Sequence, residues 1–456
     1  MRKNSKIHPS PLHILSPGQM MVAGFGFLIL LGAVLLTSPL SSANGTSTSF
    51  IDALFTATSA VCVTGLVVVD TSIHWSIFGK VVIILLIQVG GLGFMTLGTL
   101  VALIFGKKIN LRQRILIKEA LNQDDLSGSV KLIKKVLKYT LVIEGLGALL
   151  LSFAFIPQFG FLKGIGYSIF TSISSFCNAG FDLMGSISGE YSSIVSYYNR
   201  PLIVFTISAL IILGGIGFPV IINIVNKRHL KKLSLNSKMA LVTTAILIVG
   251  GFLMIFLGEV GHALHGMTLW EKFQVAFFQS VTTRTAGYAT IDLTQFREST
   301  LFVMIILMFI GASPASTGGG IKTTTAAVLF IAVKSFIKNE NEITVQHKRI
   351  NVFTFRKALG IFIIAIIIAV LGVYLLSITQ DPKHFDILSC SFEVSSALAT
   401  VGLSLAGSYH LNGVGKVIIM VLMFAGRVGS LTIFTAFISE NKRKRVRYPE
   451  AKVLVG

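Results

Sequence analysis

The sequence predicts an all-α integral membrane protein, with eight transmembrane helices and four re-entrant pore loops arranged as four pseudo-symmetric helix-loop-helix repeats around one pore. Three observations carry that prediction. The 456 residues are 53% hydrophobic and only 13% charged, a balance that buries apolar surface in lipid and excludes a soluble enzyme with a water-facing shell. Eight apolar stretches are long enough to cross a hydrocarbon core. Four shorter apolar segments end in glycine turns, at Gly65, Gly180, Gly287 and Gly402.

The long stretches run at about 20–39, 77–105, 139–157, 201–225, 239–258, 301–333, 358–378 and 414–438. An even number of crossings puts both termini on one side. The segments that share this side (1–17, 106–138, 226–238, 334–357 and 439–456) hold 29 of the 39 Lys and Arg residues. Basic loops stay cytoplasmic, so both termini are expected inside, in a multi-pass plasma membrane protein. The net charge of +20 therefore reports topology, and no nucleic-acid partner is expected. The first span, preceded by Arg2, Lys3 and Lys6, is read as retained and not as a cleaved leader, because the first repeat needs its outer helix. Cys62, Cys177 and Cys390 have no metal-ligand spacing and imply neither a disulfide framework nor zinc.

Each repeat is a long span, a short segment and a second span. Repeat 1 covers 1–105 with its loop at 50–66, repeat 2 covers 106–225 with 165–181, repeat 3 covers 226–333 with 270–288, and repeat 4 covers 334–456 with 385–403 and a basic tail. The loops end Val63-Thr64-Gly65, Asn178-Ala179-Gly180, Thr285-Ala286-Gly287 and Thr400-Val401-Gly402, and ten residues earlier all four carry Phe55, Phe170, Phe277 and Phe392. Glycine spacings of 115, 107 and 115 residues identify an internal repeat. The second spans align independently, through Gly90-Gly91-Leu92-Gly93, Gly214-Gly215-Ile216-Gly217, Gly311-Ala312-Ser313-Pro314 and Gly426-Arg427-Val428-Gly429.

Four glycine loops around an axis suit cation dehydration: backbone carbonyls replace water, and glycine permits the dihedrals this needs. Short helices that aim their partially negative C-termini inward favour a cation at mid-membrane. Asp70, Asp182 and Asp292 follow their glycines closely; they either draw cations to an outer mouth or are ordinary loop acids. In the sixth span, Pro314 and Gly318-Gly319-Gly320, flanked by Ser313, Ser316, Thr317 and Thr323, break the helix. Segment 311–322 is thus expected to be a loop lining a wet cavity, with Lys322 either snorkelling toward the cytoplasm or taking a direct part in the pore.

Other polar positions carry narrower expectations. Arg284 stands where the other loops have Cys62, Cys177 and Ala399, which puts it behind the filter with Glu393 as partner. Glu144 reads as a structural carboxylate facing the bundle, and His262 with His265 is too sparse for a metal. Arg427 occupies a column that holds Gly91, Gly215 and Ala312 elsewhere. It either ties the eighth span to backbone carbonyls or stands below the filter, bonds the carbonyls freed by Gly318 to Gly320, and raises a barrier. A membrane-embedded enzyme would need a reactive constellation, and the midspan residues Glu144, Lys322 and Arg427 do not form one.

The four loop endings, with Gly311-Ala312-Ser313-Pro314-Ala315-Ser316-Thr317-Gly318-Gly319-Gly320-Ile321-Lys322 between the third and fourth, resemble the Trk/Ktr/HKT superfamily of K+ transporters. The eight-span length is most similar to the bacterial Ktr membrane subunits (KtrB or KtrD type). The resemblance implies K+ uptake without a cofactor in this chain, with a possible Na+ dependence. It implies a K+ filter of Val63, Thr64, Gly65, Asn178, Ala179, Gly180, Thr285, Ala286, Gly287, Thr400, Val401 and Gly402, which would hold K+ through backbone carbonyls. It makes the loop around Gly311, Ser313, Pro314, Ser316, Thr317, Gly318, Gly319, Gly320 and Lys322 a gate beneath the filter, with Arg427 beside it. It further implies a homodimer and a cytosolic ring of nucleotide-binding regulatory subunits of the KtrA/KtrC kind. Only the fourth loop keeps Thr-Val-Gly, so a Na+-conducting or weakly selective pore of the same fold is the alternative. Gly65 points to K+, since a serine there accompanies Na+ transport in plant relatives.

Overall fold

A computed structural model describes residues 17–93, 129–227, 229–340 and 342–429. The basic segments 106–128 and 439–456, the distal parts of the spans 77–105 and 414–438, and Arg228 lie outside the described residues.

Among the described residues, four helices are long and apolar enough to cross a membrane: α1 (Pro17–Thr37), α4 (Ser129–Phe159), α9 (Leu235–Glu259) and α13 (Val352–Thr379). Most of their surface is uncovered, with Leu30, Phe153, Leu257 and Ile367 outward, as suits helices whose solvent is hydrocarbon. Each is followed by a shorter helix rich in small residues: α2 (Phe50–Cys62), α5 (Phe161–Phe176), α10 (Leu269–Thr282) and α14 (Ile387–Ala399). Ser49, Thr268 and Asp386 cap three of these short helices, Thr268 in a capping box with Glu271, which satisfies the first orphan N–H groups. α5 starts instead from Gly160, one residue after α4 ends, so the chain reverses there without a side-chain cap.

The third helices are α3 (Ile77–Leu92), α7 (Pro201–Ile216), α11 (Glu298–Phe309) and α15 (Gly413–Val428). Between α5 and α7 lies a single turn, α6 (Gly185–Ser188); α8 (Phe218–Lys227) follows α7, and α12 (Thr323–Ile337) follows the broken span. The packing closes on itself: α3 lies against α5, α7 against α10, α11 against α14, and α15 against α2. The core accordingly sits around the short helices, with Phe55, Phe170 and Phe392 buried and Phe277 half-buried against Phe205 and Phe273.

Two features depart from expectation. The apolar run 201–225 is not one straight span, because the chain bends by 95° between α7 and α8. Gly217 makes the elbow at φ 98°, a left-handed conformation that glycine adopts without steric cost. α3 and α15 stop likewise before Gly93 and Gly429, at φ 80° and 92°. The chain is also not wholly helical: β1 (Thr344–Val345) pairs antiparallel with β2 (Lys348–Arg349) across the left-handed pair Gln346 and His347, a geometry that suits a two-residue hairpin.

Candidate functional site

The four short helices end at one place. One to three residues beyond each, Val63, Asn178, Thr285 and Thr400 are left-handed at φ between 51° and 66°, and two residues later Gly65, Gly180, Gly287 and Gly402 are again positive, between 69° and 96°. Side-chain-bearing residues avoid this region, so four occurrences of one unusual backbone pattern mark a built feature. The segments touch in a ring. A Cβ built on Gly65 would meet the Ala179 carbonyl, one on Gly180 the Ala286 carbonyl, one on Gly287 the Val401 carbonyl, and one on Gly402 the Thr64 carbonyl. The same Cβ positions lie 3.0–3.2 Å from the Cα of the next glycine around. No larger residue fits without moving a neighbouring segment.

Hydroxyls on the short helices hold this backbone. Ser59 Oγ and Ser396 Oγ each accept from the N–H of the glycine six residues on, at 3.0 Å. Ser174 and Thr282 donate at 2.7 Å to the carbonyls of Phe181 and Tyr288. Sequence reading missed these groups, although Ser59, Ser174 and Ser396 form a column six residues before three of the glycines. Tyr288 adds a cross-brace, donating at 3.1 Å to the Phe181 carbonyl.

Beneath the ring lies segment 310–322, non-helical as expected, its ends paired as a parallel bridge between Ile310 and Ile321. It docks on the elbow of α7: Ser313 N donates to the Gly215 carbonyl at 2.9 Å, and Phe218 N to the Ala315 carbonyl at 3.0 Å. Thr317 donates to the Phe176 carbonyl at 3.1 Å. Its glycines lie directly under the ring threonines, since a Cβ on Gly318 would strike Thr285 Oγ1 and one on Gly319 would strike Thr400 Oγ1. Gly319 N donates to Thr400 Oγ1 at 3.1 Å.

Three cations, buried Arg284 and half-buried Arg427 and Lys322, hold the carbonyls of this loop. Arg427 donates to Thr317 O and, from its other terminal nitrogen, to Gly90 O and Gly91 O at the end of α3. Both readings of Arg427 meet here: it bonds backbone carbonyls of a neighbouring helix, and it reaches the loop, at Thr317 and not at Gly318 to Gly320. Lys322 does not snorkel; its ammonium donates to Gly318 O at 2.8 Å. Arg284 donates to Ile310 O at 3.0 Å and Gly311 O at 2.8 Å, and not to Glu393, whose carboxylate accepts from Ser404 and Ser408. Opposite charge suggested that pairing, but the nearby serine hydroxyls satisfy the acid. The expected glycine clusters also have a physical role: Gly90, Gly214 and Gly426 let the third helices pass against the carbonyls of Val61, Phe176 and Leu398.

The acids are placed as follows. Asp70 is buried and accepts from Ser72 N, Ile73 N and Tyr191 N, so it brackets two loops. Asp182 accepts from Met184 N, and exposed Asp292 accepts from Thr294 N. Glu144 accepts from the Gln88 amide at 3.1 Å, in keeping with a bundle-facing structural carboxylate. His262 pairs with buried Glu259 at 3.2 Å, and no cluster of metal-ligating residues occurs among the described residues.

The family model for cation transport proteins of the TrkH type matches residues 19–446. The chain belongs to this family. It is a family of membrane transporters, not of enzymes. The potassium/sodium uptake protein NtpJ of Enterococcus hirae is 43% identical, over 97% of this chain and 98% of that one. The Ktr system potassium uptake protein B of Bacillus subtilis is 39% identical over 97% of each, and the D protein of that organism is 37% identical over 98% of each. The crystal structure of the potassium transporter TrkH from Vibrio parahaemolyticus shares the fold, with a TM-score of 0.72 at 18% identity, covering 96% of this chain and 87% of that one.

Proposed function

We propose that this cation transporter carries K+ into the cell through one path per subunit, with the four glycine segments as filter and segment 311–322 as gate. The reading rests above all on the closed ring of Gly65, Gly180, Gly287 and Gly402. Four backbone segments that meet edge to edge around one point can turn carbonyls to a cation in place of its water shell. Around that ring we read eight membrane spans in four repeats, at 1–105, 106–225, 226–333 and 334–456. The short helices turn their C-terminal dipoles toward the ring, and both termini are cytoplasmic by the distribution of basic residues. Membership of the family, and the names of full-length relatives that take up potassium, support the ion.

The Ktr systems named among the relatives support a membrane subunit that works with a separate regulatory component, and we read this as a homodimer controlled by a cytosolic nucleotide-binding ring. The basic segments 106–138 and 226–238 would be its docking surface. Charge reversal at Lys227, Arg228, Lys231 and Lys232 should abolish co-purification of such a ring. A second reading, a Na+-conducting or weakly selective pore, draws on the potassium/sodium relative. Rb+ uptake by cells that lack their own K+ import separates the two: uptake that appears with this chain and resists excess Na+ supports K+ transport. No uptake above the empty cells, or uptake abolished by Na+, refutes it.

A further inference from the structure

We propose that Arg284 is a positioning residue that pins the upstream end of the intramembrane loop to the third filter segment, so that ion preference depends on this one side chain. The inference rests on the assignment of filter and gate above. Arg284 is 4% exposed and sits one residue before Thr285. Its backbone is already fixed: its N–H donates to Val281 O at 3.0 Å, and its carbonyl accepts from Asn178 Nδ2 at 3.1 Å. The same Asn178 amide reaches Thr285 Oγ1 at 3.3 Å, so the second and third segments are joined at this point.

The side chain then leaves the ring and grips Ile310 O and Gly311 O, the first carbonyls after α11 ends at Phe309. A planar guanidinium meets two adjacent acceptors as a rigid, pre-organised fork, whereas an ammonium is a compact point charge on a flexible stem. Arg284 forms no ion pair among the described residues; these carbonyls take its two terminal nitrogens and offset part of its burial, while its buried Nε has no hydrogen-bond partner among those residues. The other three segments carry Cys62, Cys177 and Ala399 at this position. The arginine therefore occurs in the unit whose third helix, α11, is followed by segment 310–322.

The three cations on the loop divide by position. Arg427 and Lys322 hold Thr317, Gly318 and Gly319, the part that lies under the ring. Arg284 holds the stem. An opening that swings residues 313–320 aside must break the bonds of Arg427 and Lys322 but can keep those of Arg284, which makes Ile310 and Gly311 the pivot and Arg284 its anchor on the filter. Loss of the anchor should thus loosen Thr285, whereas loss of Arg427 frees only the moving part.

The test is competition of K+ and Na+ for uptake by the full-length protein in liposomes, normalised to folded protein. Arg284→Gln should lower the preference for K+ over Na+ about tenfold, as expected for removal of charge-assisted hydrogen bonds, and raise KM for K+. Arg284→Lys should recover part of the preference, since an ammonium keeps the charge but loses the rigid fork. Should Arg284→Gln fail to fold, Arg284→Lys decides alone: a preference below that of the unsubstituted chain supports the proposal. Less protein with unchanged preference per folded molecule overturns it and leaves Arg284 purely structural. Absence of K+ uptake by the unsubstituted chain would overturn the transport reading instead.

Discussion

Gly402 closes against Gly65: a Cβ at position 402 would stand 3.0 Å from the Gly65 Cα and run into the Thr64 carbonyl oxygen. The first and last glycine segments of the chain are thereby neighbours in space, and a side chain at Gly402 has only the ring itself to displace. Gly402→Ser also places a residue with a Cβ at φ 96°, a conformation that costs L-residues on the order of 1 kcal/mol. The substitution should reduce K+ preference over Na+ by about tenfold, if a displaced Thr64 carbonyl weakens one coordination layer. Competition between Rb+ and Na+ uptake measures it, and an unchanged ratio in a normally expressed variant removes Gly402 from the filter.

Segment 316–320 fills the space below the ring, with Gly318 and Gly319 against Thr285 and Thr400. Deleting Ser316 to Gly320 removes the acceptors of Arg427 on the loop and of Lys322, together with the obstruction. Maximal K+ flux should rise several-fold, as steric and electrostatic barriers in a pore are removed together, and control by a cytosolic partner should weaken. A folded deletion protein with the flux and control of the parent would show that the loop does not gate.

Much of this site is legible in the sequence because backbone requirements leave residue signatures. A ring in which each segment touches the next needs a residue without Cβ at each meeting point, and Gly65, Gly180, Gly287 and Gly402 record that need at regular spacing. Pro314 and Gly318 to Gly320 announce a broken helix for the same reason. The elbow at Gly217 is hidden, because the residues on both sides are apolar and a glycine in such a run also suits close helix packing. The partners of Arg284 and Lys322 are hidden too. Charge complementarity directs attention to acids, whereas the acceptors are carbonyls that become free only once the sixth span has broken.

The elbow makes its own prediction. Gly217 stands at φ 98°, and a Cβ there would lie 2.5 Å from the Pro314 carbonyl oxygen. Gly217→Ala therefore pushes on the loop directly, besides a conformational cost of about 1 kcal/mol. The expected result is a modest loss of folded protein and a higher flux per molecule, because the bonds from Ser313 N to Gly215 O and from Phe218 N to Ala315 O can no longer both hold. Uptake at saturating K+, normalised to folded protein, decides; flux equal to that of the parent would show that docking on the elbow does not restrain the loop.

Arg427 carries the sharpest prediction, because its two hands hold different things. One terminal nitrogen bonds Thr317 of the loop, and the other bonds Gly90 and Gly91 at the end of α3, so the guanidinium ties the loop to a helix of another repeat. Position 427 corresponds to Gly91, Gly215 and Ala312, so in this column a cation stands at 427 alone. A charge at such depth costs on the order of 3 kcal/mol on insertion scales, a cost offset here by backbone carbonyls, since Arg427 forms no ion pair among the described residues. Two effects then act in one direction. The positive charge raises the barrier to a passing cation, and its bonds latch the loop across the path. Arg427→Ala removes both, so maximal K+ uptake should rise while K+ preference over Na+ stays as it was, the ring being untouched. Arg427→Lys separates the two effects: an ammonium keeps the charge but cannot bridge both sets of carbonyls, so it should give intermediate flux. Reduced or unchanged maximal uptake in a folded, normally expressed Arg427→Ala protein would show that the arginine braces the helices and does not restrain the ion.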